Sequence, residues 1–438
     1  MLDFAAHRSA VLAHLADDEA VLVFGGPHHL RNGDAEYRYR PDSDVYWLTG
    51  WEDPQVAVFL RPGDEPVCMF VQARDPERET WTGRRKGPEG AKEEHGADVA
   101  FPFSALEAEL PRLLQGVSTL HYGFARDPEH DALVMSAVAR ARRSGRLKGL
   151  LAPQTFHHPT VLLHELRLVK SEAEIDRLRE AGRISAEAHI RAMRATGPGV
   201  REFAIEAVLM HSFLEQGSTG AGYTPIVAAG DNATILHYVT NRDVCEDGEL
   251  LLIDAGCEVD FYTADITRTF PVNGRFTDVQ RKVYQAVLDA QLASIDTCRA
   301  GRTFHDVHTA SVRGLTEAMV ALGLLKGDVD ELISTDAFKR YYMHGTSHWL
   351  GLDVHDVGLY TTAPGEENGS RVLAPGMVLT VEPGLYVPLD DEDAPEELRG
   401  IGIRIEDDVL VTDGAPDVLT AAAPKAPDLI EELMARYG

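Results

Sequence analysis

The sequence predicts an α+β fold in two domains, and three observations point to it. The chain has 438 residues, more than one hydrophobic core usually spans. Its character changes over residues 160–172, where short β-rich runs alternating with helical ones give way to a long helical repeat. Beyond that point strand-like runs of period two each set a carboxylate on one face and apolar residues on the other. A boundary after residue 168 gives domains 1–168 and 169–438, the first smaller and α/β in pattern.

In the first domain, AVLVFGG (20–26), VYWLTGW (45–51), QVAVFLRPG (55–63) and PVCMFVQ (66–72) read as short strands. Across the junction runs HELRLVKSEAEIDRLREAGRISAEAHIRAM (164–193). Ser171 and Glu174 fit a capping box that opens a helix. Ile175, Leu178, Gly182, Ser185, Ala188 and Ala192 recur at helical spacing until Gly197-Pro198-Gly199 ends the run. Phe203 opens a second run through Leu214. The same plan returns later: a helix from about Asp278 to Arg299, a turn at Gly301, and a run from Phe304 through Leu315. Helix, glycine turn, helix, strands, twice over, reads as an internal duplication.

The strands come next. LLLIDAG (250–256) is a buried strand ending at Asp254 and turned by Gly256, and FYTADITRTF (261–270) returns from it. Period two puts Thr263, Asp265, Thr267 and Thr269 on one face of that return strand. An aspartate among β-branched residues is a poor strand former, so something holds it there. In MVLTVEPG (377–384) Val378, Thr380 and Glu382 align. In GIGIRIEDD (400–408) the isoleucines at 401, 403 and 405 take one side, and Arg404 with Glu406 the other.

Asp254, Asp265, His348, Glu382 and Glu406 are thus five donors that can converge. Four carboxylates and one imidazole carry too much negative charge for a structural zinc site, which prefers thiolates and imidazoles. Carboxylates able to touch two cations each suit a paired site for hard or borderline divalent metals, and such a pair points to hydrolysis. Singly, each residue has a plain reading: a strand-end aspartate as turn former, Glu382 as a loop residue, Glu406-Asp407-Asp408 as a charged strand edge. His344 and His348 have zincin spacing, but Gly345 stands where that motif needs its glutamate, which removes it. The joint pattern is what raises the five above the separate readings.

Composition sets the outer bounds. A content of 44% hydrophobic and 7% aromatic residues is that of an ordinary soluble globular chain. The net charge of −28 argues against nucleic acid and anionic membranes, which call for basic patches. No apolar run approaches a membrane span, and the first twenty residues lack a cleavable apolar stretch. Cys68, Cys245, Cys257 and Cys298 form no C-x-x-C, so neither disulfides nor a thiolate cluster is expected. The expectation is a cytoplasmic protein.

The five donors, with HGTSHWLGLDVHDVG around His348, TVEPGLY around Glu382 and GIRIEDD around Glu406, resemble the pita-bread metallopeptidases of the aminopeptidase P type. The 265 − 254 = 11 positions between the two aspartates match that family as well. RNGDAEYRYRPDSDVYWLTGW (31–51) and WTGRRKG (81–87) are similar to its creatinase-like N-terminal domain, and HELRLVKS (164–171) to its domain junction. The resemblance implies a C-terminal pita-bread catalytic domain, antiparallel sheets covered by helices about an internal pseudo-twofold. It also implies release of the first residue from peptides with an N-terminal Xaa-Pro. Two divalent ions are implied, manganese first, with cobalt or zinc as alternatives, and a homodimer or homotetramer.

The same resemblance implies roles. Asp254 binds one metal, His348 and Glu382 the other, and Asp265 and Glu406 bridge both, holding a hydroxide that attacks the Xaa-Pro bond. Glu382 passes the proton towards the leaving nitrogen. His355 stabilises the tetrahedral intermediate, and His237 contacts substrate. His344 and Arg404 orient ligands and substrate. Tyr386 and the histidines line a proline pocket, and Trp81 matches a tryptophan lent by a neighbouring subunit, the alternative being an aromatic packed under its own domain. Asp34 matches an acid near the site, and the acidic stretch 389–398 lies between two ligands; neither receives a role. Creatinase-like enzymes share both domains but lack these ligands. Prolidase, an Xaa-Pro dipeptidase, shares them and stays open as the alternative, disfavoured by the short 406 − 382 = 24 positions between the last two glutamates.

Overall fold

A computed structural model of the chain describes residues 1–362 and 369–435. It divides into two compact units, Met1–Arg167 and Leu168–Gly438. No helix among the described residues is long and apolar enough to cross a membrane.

The first unit is built on strands β1 (Glu19–Phe24), β4 (Ala57–Leu60), β5 (Val67–Val71), β6 (Val99–Pro102), β7 (Thr119–His121) and β8 (Thr155–His157), with a small exposed ribbon, β2 (Leu30–Asn32) and β3 (Ala35–Glu36), between the first two. The six form one mixed sheet in the order β6-β5-β4-β1-β7-β8. β1 and β4 pair antiparallel, and β1 and β7 parallel. Leu22, Phe59 and Phe70 of the sheet pack with Leu110 and Val134 of the helices Leu106–Leu113 and Pro128–Gly145.

One expectation fails here. The run 45–51 belongs to an α-helix, Ser43–Thr49, not a strand. Asp42 Oδ1 caps it, accepting from the Asp44 and Val45 amides at 3.0 and 3.2 Å. Gly50, at φ +65°, ends it, where any Cβ would meet the Phe4 ring at 2.4 Å. All seven residues are buried, so the helix has no polar face to give it a period, and a short apolar run of this kind is ambiguous by pattern alone.

In the second unit the helices fall close to where the periodicity puts them. Glu172–Ala195 opens with Glu174 Oε2 accepting from the Ser171 amide and hydroxyl at 2.8 and 2.7 Å. Glu202–Glu215 packs on it, and Asp278–Thr297 packs on Phe304–Ala321, which runs six residues past Leu315. The strands are β9 (Gly220–Ala221), β10 (Ile226–Ala229), β11 (Leu250–Asp254), β12 (Cys257–Val259), β13 (Tyr262–Thr263), β14 (Thr267–Pro271), β15 (Val378–Val381), β16 (Gly384–Val387), β17 (Ile401–Arg404), β18 (Asp407–Leu410) and β19 (Asp417–Val418). They form small sheets, β10-β11-β14, β13-β12-β9, β15-β18-β19 and β16-β17, all antiparallel in their pairings.

The return strand 261–270 and the run 400–408 are each broken. β13 leaves one sheet and β14 enters another, with Ala264, Asp265 and Ile266 between them. β17 and β18 likewise belong to different sheets across Ile405-Glu406, and β15 and β16 across Glu382-Pro383. The chain crosses itself at the first break: the Ala255 amide donates to the Ile266 carbonyl and the Ala264 amide to the Cys257 carbonyl, both at 3.0 Å. Gly256 permits the crossing, because a Cβ there would stand 1.7 Å from the Ala264 carbonyl oxygen. Three carboxylates therefore sit where a strand changes sheets, with backbone free of a regular ladder on both sides.

Candidate metal centre

Asp254 ends β11, Asp265, Glu382 and Glu406 occupy the three strand breaks, and His348 lies in the loop before β15. All five line one cavity of about 440 Å³. Asp265, His348 and Glu406 each offer a donor atom within 4.8 Å of the others. His348 Nε2 stands 3.4 Å from Asp265 Oδ2 and 3.7 Å from Glu382 Oε1. Asp254 joins through Tyr223, whose hydroxyl lies 2.6 Å from Asp254 Oδ1 and 2.5 Å from Asp265 Oδ1.

The groups around the donors fix their orientation. His348 Nδ1 donates to the Trp349 carbonyl at 3.0 Å, which turns Nε2 to the carboxylates. Thr267 Oγ1 donates to Glu406 Oε2 at 2.6 Å and accepts from Arg404 Nε at 3.1 Å. Arg404 also donates to Asp254 Oδ2 at 2.7 Å and to the Tyr386 oxygen at 3.1 Å. His344 is held near pKa 4 by burial and by Arg404, so it is neutral. Its Nδ1–H donates to the Gly345 carbonyl at 2.7 Å, and Nε2 accepts from the Tyr386 hydroxyl at 2.8 Å. Beneath the cluster the Asp265 amide donates to the Asp408 carboxyl at 3.1 and 3.3 Å.

Electrostatics here is dominated by like charge in a dry place. Burial lifts Asp265, with the charge of Asp254 adding to it. Burial pushes Glu382 up to about 8, against the pull of His348 and Arg404. Burial, then Asp265 and Glu382, raise Glu406 well above the carboxylate range. Burial would lower His348, but its bond to Asp265 and the charges of Glu382 and Asp265 outweigh that and bring it to about 9. Carboxylates that resist ionisation unless a cation joins them, converging on an imidazole that holds its proton only for want of another cation, are a donor set that fits divalent metal.

The other candidates fall in several places. His237 and His355 line the same cavity, and the His355 ring meets His348 edge-on at 4.4 Å between centroids. Tyr386 is fully buried, its hydroxyl spent between His344 and Arg404. Trp81 and Asp34 belong to the first unit. Trp81 is 88% exposed on the helix Pro76–Thr82, which buries none of its residues, so it is not packed under its own domain. Asp34 is exposed in the β2–β3 turn. The run Glu406-Asp407-Asp408 is no charged edge, since all three are buried. Within the acidic stretch 389–398, Arg340 pairs with Asp391 and Asp393. Sequence reasoning passed over Tyr223 and Asp408. Tyr223 carries no signal in its surroundings, whereas Asp408 was visible only as part of an acidic run.

Residues 176–413 match the family model described as Metallopeptidase family M24, and residues 4–121 that of the Aminopeptidase P, N-terminal domain. The Xaa-Pro aminopeptidase of Escherichia coli is 43% identical over 435 residues, 99% of this chain and 97% of that protein. That of Haemophilus influenzae is 40% identical over 434 residues, with the same coverage. Among solved structures, an aminopeptidase from Pseudomonas aeruginosa superposes with TM-score 0.95 at 44% identity, covering 99% of this chain and 98% of that one. A zinc-substituted aminopeptidase P from E. coli in complex with product gives 0.94 at 43% identity and the same coverage.

Proposed function

Since the chain belongs to metallopeptidase family M24, we propose that it is an Xaa-Pro aminopeptidase, releasing the first residue from peptides that carry proline second. The observation that carries this reading is the convergence of four carboxylates and one imidazole, from positions as far apart as Asp254 and Glu406, on one cavity. Likeness to the E. coli enzyme over 99% of the chain supports the substrate class. In this reading the unit around 1–168 is the accessory domain and 169–438 the catalytic one.

Asp254, with His348 and Glu382, would hold the outer positions of two divalent cations, and Asp265 and Glu406 the shared ones. When bound, such a pair supplies Lewis acidity and a nucleophile drawn from water at neutral pH. Manganese is our choice of native ion, because an oxygen-rich set with a single histidine suits it. The chain's own groups do the rest. Glu382, whose carboxyl burial lifts to about 8, would take the proton that the attacking water gives up and return it to the proline nitrogen as the bond breaks. His355 faces the cavity, where a donor stabilises the charge that develops on the scissile carbonyl oxygen, and His237 lines it as a contact for the bound peptide. Arg404 fixes Asp254, and His344 and Tyr386 fix Arg404. An Xaa-Pro bond offers no N–H, so a peptidase for it must rely on the carbonyl and on the ring.

A homodimer or homotetramer is our reading of the assembly, in which a neighbouring subunit would cover the exposed Trp81. We place the protein in the cytoplasm. The test is product analysis: chelate the protein, restore Mn²⁺, and offer an Xaa-Pro-Pro tripeptide beside an Xaa-Pro dipeptide. Metal-dependent release of the first residue from the tripeptide is expected. Cleavage of the dipeptide alone would make it a prolidase, and cleavage of neither would return it to creatinase-like chemistry.

A further inference from the structure

Glu202 is fully buried, yet no cation among the described residues pairs with it. Four neutral donors converge on its carboxylate instead. The Ala229 amide and Asn232 Nδ2 donate to Oε1 at 2.8 and 3.1 Å. The Tyr238 hydroxyl and the Asp243 amide donate to Oε2, each at 2.8 Å. The Glu202 amide in turn donates to the Asp243 carbonyl at 3.0 Å. Every one of these partners lies in the segment 229–243, which leaves β10, turns, and returns towards β11.

That segment carries Leu236, His237 and Val239 into the cavity of the metal centre. At its tip Ile235 and Val239 are about half exposed, and between them only the Tyr238 side chain is buried, tied to Glu202. No hydrogen bond to another described residue holds the His237 ring, so the backbone path sets its place. The far end is stapled by Asn241, in the left-handed region at φ +49°. Its Oδ1 accepts from the Val227 amide at 3.0 Å, and its Nδ2 donates to the Pro225 carbonyl at 2.9 Å and to Glu206 Oε2 at 3.0 Å.

We propose that Glu202 is a positioning residue for substrate binding, acting through the 229–243 segment to hold His237 against the peptide. Only a carboxylate suits the post, because it accepts from all four donors and brings no donor of its own. An amide at the same position turns an NH2 onto two N–H or O–H groups, leaving buried donors unmatched and the segment free to shift. The inference rests on the aminopeptidase reading, and on His237 contacting substrate.

The experiment is a mutant cycle on the Mn²⁺-loaded full chain with the tripeptide. Glu202→Gln raises KM at least tenfold, changes kcat less than threefold and leaves the metal content as in the unaltered protein. His237→Ala gives a like rise, and the double variant is no worse than either single one. Equal and independent losses in kcat/KM for the two changes would overturn the proposal, as would a loss confined to kcat. Should Glu202→Gln fail to fold, Tyr238→Phe removes one donor and is read the same way: a several-fold rise in KM that vanishes beside His237→Ala supports the proposal, and an unchanged KM overturns it. The unaltered protein runs in the same assay. If that cleaves nothing, the aminopeptidase reading has failed, not the role of Glu202.

Discussion

Glu406, Asp407 and Asp408 follow one another along the chain and meet three unlike surroundings. Glu406 faces the cavity, its carboxyl raised by burial and by neighbouring acids. Asp407 turns the other way; burial opposes it, but Arg268 and Lys425 hold it at about 2. Asp408 turns back under Asp265, accepting its amide. Residue type and spacing made the first of these legible, because period two put it beside Arg404 on one face. The other two read as an edge, since nothing in a run of acids says which of them a buried arginine will meet. Tyr223 was illegible for a similar reason: its hydroxyl matters only because two distant aspartates close on it. At this scale the bridging assignment is testable. Asp265→Asn keeps the side chain's size and removes a charge that two cations would share. Metal analysis should show at least one equivalent lost and turnover down by more than a hundredfold, with the circular dichroism unchanged. Full metal content with full turnover would sink it. His355→Ala, in the same cavity, should keep both metals and lose roughly 100–1,000-fold in kcat, as removal of one donor to a developing charge commonly does. Unchanged kcat would remove that histidine from the chemistry.

Helices were legible as elements because their apolar positions recur and their ends carry signals: Ser171 with Glu174, and the glycine turns at 197–199 and 301. The helix at 43–49 was not, since burial on every side erases the period. Strand breaks escaped for a different reason. Alternation continues across Ala264–Ile266 and across Ile405-Glu406, so a strand that changes sheets looks, in sequence, like one that does not. The break is written instead in Gly256, whose missing Cβ lets two backbones cross. Gly256→Ala would drive a methyl onto a backbone carbonyl that cannot rotate away, and overpacking of this kind costs about 1–3 kcal/mol or more. Because Asp265 follows Ala264 directly, the strain should reach the metal centre. A fall in Tm together with weaker Mn²⁺ binding is expected in calorimetry and metal titration. A variant with unaltered Tm and affinity would show that the crossing is looser than the 1.7 Å approach implies.

A whole molecule with net charge −28 carries many groups that respond to pH, and they do not all pull one way. Acids raised by burial favour the folded state as pH falls, whereas a histidine buried neutral opposes it. His189 is the clearest of the second kind. It is fully buried, its Nε2–H donates to the Ala255 carbonyl at 2.9 Å, and its Nδ1 has no partner among the described residues. Burial holds its pKa at about 4, against an ordinary 6.5. Unfolding therefore takes up a proton between those values, so its contribution is complete above pH 6.5 and is lost as pH falls through that interval. One pKa unit corresponds to about 1.4 kcal/mol, so the loss should reach roughly 2 kcal/mol by pH 5. His189→Gln isolates this term, because the amide nitrogen can keep the bond to Ala255 and does not titrate. The other acids and the metal centre are common to both proteins and cancel in the difference. Denaturant melts of the Mn²⁺-loaded proteins should find the variant less stable at pH 8 by about 1–2 kcal/mol, the worth of a disturbed buried bond. That gap should close or reverse by pH 5. Stability curves that run parallel from pH 8 to 5 would mean that His189 takes its proton as readily folded as unfolded, and that burial is not what keeps it neutral beside the centre.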